Sequence, residues 1–235
     1  MASYLCHIET IYCFIQLLPK NASTMIRALN AENQAKITPE KALEMLKEGN
    51  KRFVENQKAE RDLLQMVKDT AKGQWPFAVV LSCIDSRTSS ELIFDQGIGD
   101  LFNARVAGNI VNEDILGSME YAVKYAKSKI VVVLGHTKCG AVTSACQGVD
   151  DGNITALLEK IKPAISREKS EKTDRSGSNP SFVEKVARLN VFHAIDEIRN
   201  KSSILSGLEK EGKVMLIGGM YDVGSGKVHF YDPQE

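Results

Sequence analysis

Two short stretches hold the residues best suited to do chemistry: Leu81-Ser82-Cys83-Ile84-Asp85-Ser86-Arg87 and Leu134-Gly135-His136-Thr137-Lys138-Cys139-Gly140. His-x-x-Cys lets one tight turn present an imidazole and a thiolate to the same ion, with Gly135 and Gly140 freeing the backbone on either side. Cys83 would supply a third ligand. Cys, His and Cys leave one position of a tetrahedral Zn²⁺ free for water, which is the catalytic rather than the structural pattern. Two thiolates neutralise the ion, so its water should ionise somewhat above the pH of ~7 typical of a three-histidine site. Asp85 and Arg87, two positions apart, can form a bidentate pair that keeps the carboxylate ionised and oriented. Such a carboxylate can accept the proton of zinc-bound hydroxide and aim its lone pair at a substrate, or swing round and fill the fourth position itself.

These stretches need elements that bring them together. Phe77–Leu81 and Ile130–Leu134 are wholly apolar, β-branched runs, and Val214–Gly219 is a third. Runs of this kind suit strands covered on both faces of a parallel sheet. Leu101–Val106 reads as a shorter strand. Helices are expected from an N-cap at Thr38 with Pro39 behind it to Asn56, and over Leu116–Ala126, Ala141–Gln147, Asn153–Arg167 and Ser181–Asn200. Ser166–Asn179 is charged and Ser-rich and reads as a solvated loop. Met220–Asp232 reads as a hairpin turning at Gly224-Ser225-Gly226. The expected fold is α/β, a mostly parallel sheet flanked by helices with an antiparallel C-terminal edge strand. Ligands bind beyond the carboxyl ends of such strands, so both stretches should meet there.

Composition narrows the partners. Thirty Lys and Arg balance thirty Asp and Glu in 235 residues, which leaves no field to draw the chain onto nucleic acid, so a small-molecule partner is expected. The apolar stretch Ile11–Leu18 falls far short of the ~20 residues that span a bilayer. Met1–Thr10 contains Glu9 and no Lys or Arg, a poor signal peptide, so a cytoplasmic location is expected, with export as the alternative. Residues 1–37 read as an N-terminal arm and 38–235 as a single catalytic domain. Five cysteines are too few and too unevenly spaced for a disulfide scaffold. Cys146 reads as a packed thiol, and no metal spacing involves Cys6 or Cys13.

The pattern Cys83-x-Asp85-x-Arg87 followed by His136-x-x-Cys139 resembles the signature of the β-class carbonic anhydrases. The similarity extends through Gly49-Asn50-x-Arg52-Phe53, Glu91-x-Ile93-Phe94-Asp95-Gln96-Gly97, Arg105-Val106-Ala107-Gly108-Asn109 and Gly117-Ser118-Met119-Glu120-Tyr121-Ala122. The resemblance implies a zinc lyase that interconverts carbon dioxide and bicarbonate and self-associates as a dimer or tetramer. By that likeness Cys83, His136 and Cys139 hold one zinc per chain and Asp85 with Arg87 is the catalytic dyad. Gln74, Phe102, Ala107 and Tyr121 would line the substrate pocket, partly across a dimer interface, and the helix Thr38–Asn56 would pack on the neighbouring subunit. A bicarbonate-regulated branch carries Trp where this chain has Val80, which favours an open site with Asp85 paired to Arg87. Two other readings are weighed: hydrolysis of sulfur analogues such as carbon disulfide, and thiol redox or zinc storage. Asp85 and Arg87 argue against storage, which requires no oriented carboxylate.

Overall fold

The computed structural model describes residues 25–231. Cys6, His7, Cys13, Ile11–Leu18 and the final four residues therefore lie outside the described region. The strands are β1 (Ala78–Ser82), β2 (Leu101–Arg105), β3 (Ile130–His136), β4 (Met215–Tyr221) and β5 (Val228–Phe230). They form one sheet in the order β2-β1-β3-β4-β5, parallel except for β5, which runs antiparallel to β4. The helices among the described residues are α1 (Ala31–Ala35), α2 (Pro39–Val54), α3 (Leu63–Thr70), α4 (Ser90–Ile93), α5 (Glu113–Lys124), α6 (Gly140–Gln147), α7 (Gly152–Glu159), α8 (Lys162–Arg167), α9 (Pro180–Lys201) and α10 (Ser203–Lys210).

β1 and β3 are buried along their whole length. Successive side chains point to opposite faces, so Val79, Leu81, Val131 and Val133 join one core with α5, α9 and α10. Ala78, Val80, Ile130 and Val132 join the other, under α2 and α4. The expected hairpin is present. Asp222 Oδ1 accepts the Gly224 and Ser225 amides, and Gly226, at φ 76°, takes the left-handed position. The Gly49-Asn50-x-Arg52 run has a structural role: a Cβ on Gly49 would lie 1.8 Å from the Phe94 carbonyl oxygen, and Arg52 with Arg61 clamps buried Asp95.

Two expectations are corrected. The helix foreseen at Asn153–Arg167 is two helices, α7 and α8, because Pro163 has no N–H and its ring clashes with a carbonyl four residues back. The segment Ser166–Asn179 is not simply solvated. α8 takes its first two residues, and Glu168, 4% exposed, accepts from Ser170 and Glu171 and pairs with Arg175. Helix α2 buries Ala42 and Leu46 against this chain's own sheet. Helices α1, α3, α4 and α10 were not foreseen, being too short to show a periodic stripe; three carry side-chain caps, from Asn30, Asp62 and Ser202.

Candidate metal centre

In the strand order β2-β1-β3, the chain leaves β1 for one neighbour and later returns to its other side, which opens a crevice beyond the carboxyl ends of β1 and β3. Cys83 directly follows β1, His136 is the last residue of β3, and Cys139 caps the start of α6. Their ligand atoms all lie within 4.8 Å of one another, and all three residues are buried. His136 Nδ1 is 3.0 Å from the Thr137 carbonyl oxygen. A carbonyl only accepts, so Nδ1 carries the proton and Nε2 holds a bare lone pair. Nε2 is buried without a hydrogen-bond partner.

The two ligand loops are braced from outside. Thr137 donates its amide to Tyr221 O at 2.9 Å and accepts the Val223 amide on its hydroxyl at 3.0 Å. Lys138, at φ 55°, gives its amide to Glu184 Oε1 at 2.8 Å. On the other loop, Gly108 N–H donates to Cys83 Sγ at 3.3 Å, and Asn190 Nδ2 donates to Gly108 O at 2.8 Å. Arg105 donates from Nε to Cys83 O and from Nη2 to Asp85 O, at 3.0 and 2.6 Å.

Two buried sulfurs side by side resist a shared negative charge. The Cys139 thiol donating to Cys83 pulls the Cys83 thiol far down, while the same contact and burial push Cys139 far up. Without a cation the pair therefore keeps one proton, and a dication would let both ionise. Two sulfurs that a dication would ionise and an unpartnered imidazole nitrogen, all buried within 4.8 Å of one another, fit a zinc ion.

Beside this cluster Asp85 Oδ1 accepts from Arg87 N and Nε at 3.0 and 2.9 Å, and Oδ2 accepts from Nη2 at 2.7 Å. The Arg87 guanidinium holds the Asp85 carboxyl far below the usual carboxylate range, against the opposing effect of burial. Asp85 is paired with Arg87, as expected, and Val80 itself is fully buried.

The other nominated residues are not gathered here. Gln74 is exposed and precedes β1, whereas Cys83 follows it; a strand rises ~3.3 Å per residue, so the two sit at opposite ends of the sheet. Phe102 and Tyr121 line a separate open groove of about 660 Å³ along β2 and α5, with Tyr121 57% exposed. Ala107 alone adjoins the cluster, through Gly108.

A family model described as carbonic anhydrase matches residues 78–228. Carbonic anhydrase 2 of Mycobacterium tuberculosis is 32% identical over 200 residues, covering 83% of this chain and 93% of that protein. The chain belongs to the β-class carbonic anhydrases. A carbonic anhydrase of Pseudomonas aeruginosa is 30% identical over 72% of this chain and 79% of its own length. Among solved structures, the β-carbonic anhydrase CafA of Aspergillus fumigatus superposes with a TM-score of 0.63 at 27% identity, covering 81% of this chain and 89% of that one. A β-carbonic anhydrase of Sordaria macrospora, described as tetrameric, gives a TM-score of 0.60 at 26% identity over 69% of this chain and 84% of that one. Membership makes the chain an enzyme of the carbonate dehydratase type, for which hydration of carbon dioxide is the implied reaction. Among the described residues no helix is long and apolar enough to cross a membrane.

Glu184 and Asn190 were missed as site residues, whereas Arg105 stood in the Arg105–Asn109 motif without this bracing role. Asn190 left a trace, a polar residue inside the apolar stripe Val183, Val186, Ala187, Val191 and Ala194 of α9. Glu184 left none, because an acidic residue in the first turns of a helix has many ordinary reasons to be there.

Proposed function

We propose that the protein is a zinc-dependent carbonic anhydrase that hydrates carbon dioxide to bicarbonate and a proton, with Cys83, His136 and Cys139 as ligands and Asp85 with Arg87 as the catalytic dyad. The observation that carries this reading is the convergence of the three donor atoms, with a bare Nε2, beside a carboxylate locked by an arginine. Zinc held by three protein ligands supplies a Lewis acid and makes water a nucleophile near neutral pH. The chain's own part is orientation. Arg87 keeps Asp85 ionised and fixes both of its oxygens, leaving it able to accept a hydrogen bond and set the direction of the attacking oxygen. His136 and the two thiolates are fixed by the loops that carry them, so little reorganisation is required as charge develops.

The exposed groove between β2 and α5 supports a second part of the proposal, that the working form is a dimer or larger. Leu92 and Tyr121 are 57% exposed and Ile84, between Cys83 and Asp85, is 62% exposed, a surface that a second copy would cover. In that assembly Gln74, Phe102 and Tyr121 complete the partner's pocket for carbon dioxide and bicarbonate.

Zinc content together with stopped-flow hydration across pH tests the reading. The expected result is about one zinc per chain and a rate that is weak near pH ~6.5 and rises through pH ~8–9, since water on a zinc neutralised by two thiolates ionises above ~7. A flat profile, or no bound zinc, would overturn it.

A further inference from the structure

Helix α9 buries one polar side chain in the middle of its apolar stripe. Asn190 is 1% exposed, between Val186, Ala187, Val191 and Ala194, which are all buried. A buried amide costs stability unless its hydrogen bonds are made. This one donates across 82 positions of sequence to the Gly108 carbonyl at 2.8 Å. Gly108 gives its own N–H to Cys83 Sγ at 3.3 Å. Gly108 stands at φ 69°, and a Cβ there would lie 2.8 Å from Ile161 Cδ1, so only glycine suits that backbone conformation in that narrow space. Gly108 is thus held on its carbonyl side by Asn190 and touches the metal cluster on its amide side.

We propose that Asn190 is a positioning residue for the metal centre, holding Gly108 so that its amide hydrogen stays on the Cys83 sulfur. The inference rests on the zinc reading above and deepens it. An N–H donated to a thiolate draws negative charge off the sulfur. A dication neutralised by two thiolates is a weaker Lewis acid than one held by neutral ligands, and a hydrogen bond to one sulfur restores part of that acidity. Asn190 touches neither metal nor substrate; it acts through Gly108 alone.

The test uses the full chain with zinc replaced by cobalt, whose thiolate-to-metal charge-transfer bands report the electron density on sulfur. In Asn190→Leu and Asn190→Ala the band is expected at longer wavelength than in the parent, because an unbonded thiolate gives up charge more easily. Zinc affinity, read by chelator competition, is expected to fall ~10–100-fold, the usual effect of losing a group that orients a ligand. Ile198→Val, a core change farther along α9, should move neither. A weaker affinity with an unmoved band in the Asn190 variants would make the residue merely structural and overturn the proposal. Should both variants fail to fold, the parent loaded with an NMR-active cadmium isotope still decides. A coupling between the metal and the Gly108 amide proton supports the proposal, and its absence overturns it. A parent that shows no thiolate-to-cobalt band would instead overturn the assignment of Cys83 and Cys139 as ligands.

Discussion

The two ends of the sheet hold an aspartate each, and they titrate in opposite directions. At the carboxyl end Asp85 meets the Arg87 guanidinium and stays ionised to very low pH. At the amino end, just before β2, Asp100 is buried, accepts the Gly97 amide at 2.8 Å, and is pushed up to about 6 by desolvation, which outweighs the opposing pull of that amide and of the Arg61 charge. The same side chain becomes a fixed anion in one place and a carboxyl that prefers its proton in the other. The carboxyl end also gathers Cys83, His136, Cys139 and the Asp85–Arg87 pair within one chain. The amino end leaves Gln74 exposed, at the opposite end of the sheet from that cluster. On the function proposed above, metal chemistry is assembled by folding and the substrate pocket by association.

The sharpest way to break the carboxyl end is Cys139→Ala. Two remaining ligands cannot hold the ion tightly. Zinc content measured by atomic absorption should fall from about one per chain to near none, and full retention would refute the ligand assignment. Next in size is Asp85→Asn. Asparagine preserves the shape but presents no charge to Arg87 and no anionic acceptor, so hydration should slow ~10²–10⁴-fold with zinc still bound. Near-parental turnover in stopped-flow assays would remove the dyad from the mechanism.

At the amino end the corresponding change is Asp100→Asn, read through stability. The folded protein binds the Asp100 proton more tightly than the unfolded chain, whose value is near 3.8. As pH rises from 3.8 through about 6 the native state therefore loses stability from this group, and the loss persists above that range. Two units correspond to roughly 3 kcal/mol. Asparagine keeps an acceptor for Gly97 and never ionises. Urea midpoints should therefore show the variant gaining on the parent between pH ~4 and ~6, with no further gain above that window. A constant difference between the two proteins across the same range would show that Asp100 is not held neutral by burial.

Legibility in the sequence followed the same division. Strands β1 and β3 stood out because burial on both faces demands unbroken apolar runs, and the metal ligands stood out because they follow those runs immediately. The break at Pro163 was also legible in principle, since the proline was in view and its missing donor is independent of context. The ordering of Glu168 was not, because it depends on Arg175 folding back over the loop. Asn190 and Gly108 are 82 positions apart, and only the folding of α9 against the turn that follows β2 makes them neighbours. Gln74 could be nominated by resemblance alone; nothing in one chain shows what it faces.

The smallest effect sharpens the comparison most. If Gln74 completes a partner's pocket, Gln74→Leu should leave zinc content and melting temperature unchanged, since the side chain is exposed and makes no contact the fold requires. Hydration should fall about 10-fold, the loss of one hydrogen bond to a substrate oxygen worth ~1.4 kcal/mol. Loss of activity alone does not say which subunit Gln74 serves, but mixed oligomers do. A Cys139→Ala chain has no working metal site yet carries an intact Gln74, whereas a Gln74→Leu chain has an intact metal site. Co-expressed and purified as a mixed dimer through two different tags, the pair contains one site with parental ligands facing a parental glutamine. Activity per dimer should then rise to about half that of the parent, well above the mean of the two variants, if the residue acts across the interface. If Gln74 serves its own chain, every surviving metal site in the mixture lacks it, and activity stays at that mean. That outcome would return the substrate pocket to a single chain and remove the distinction between the two ends of the sheet.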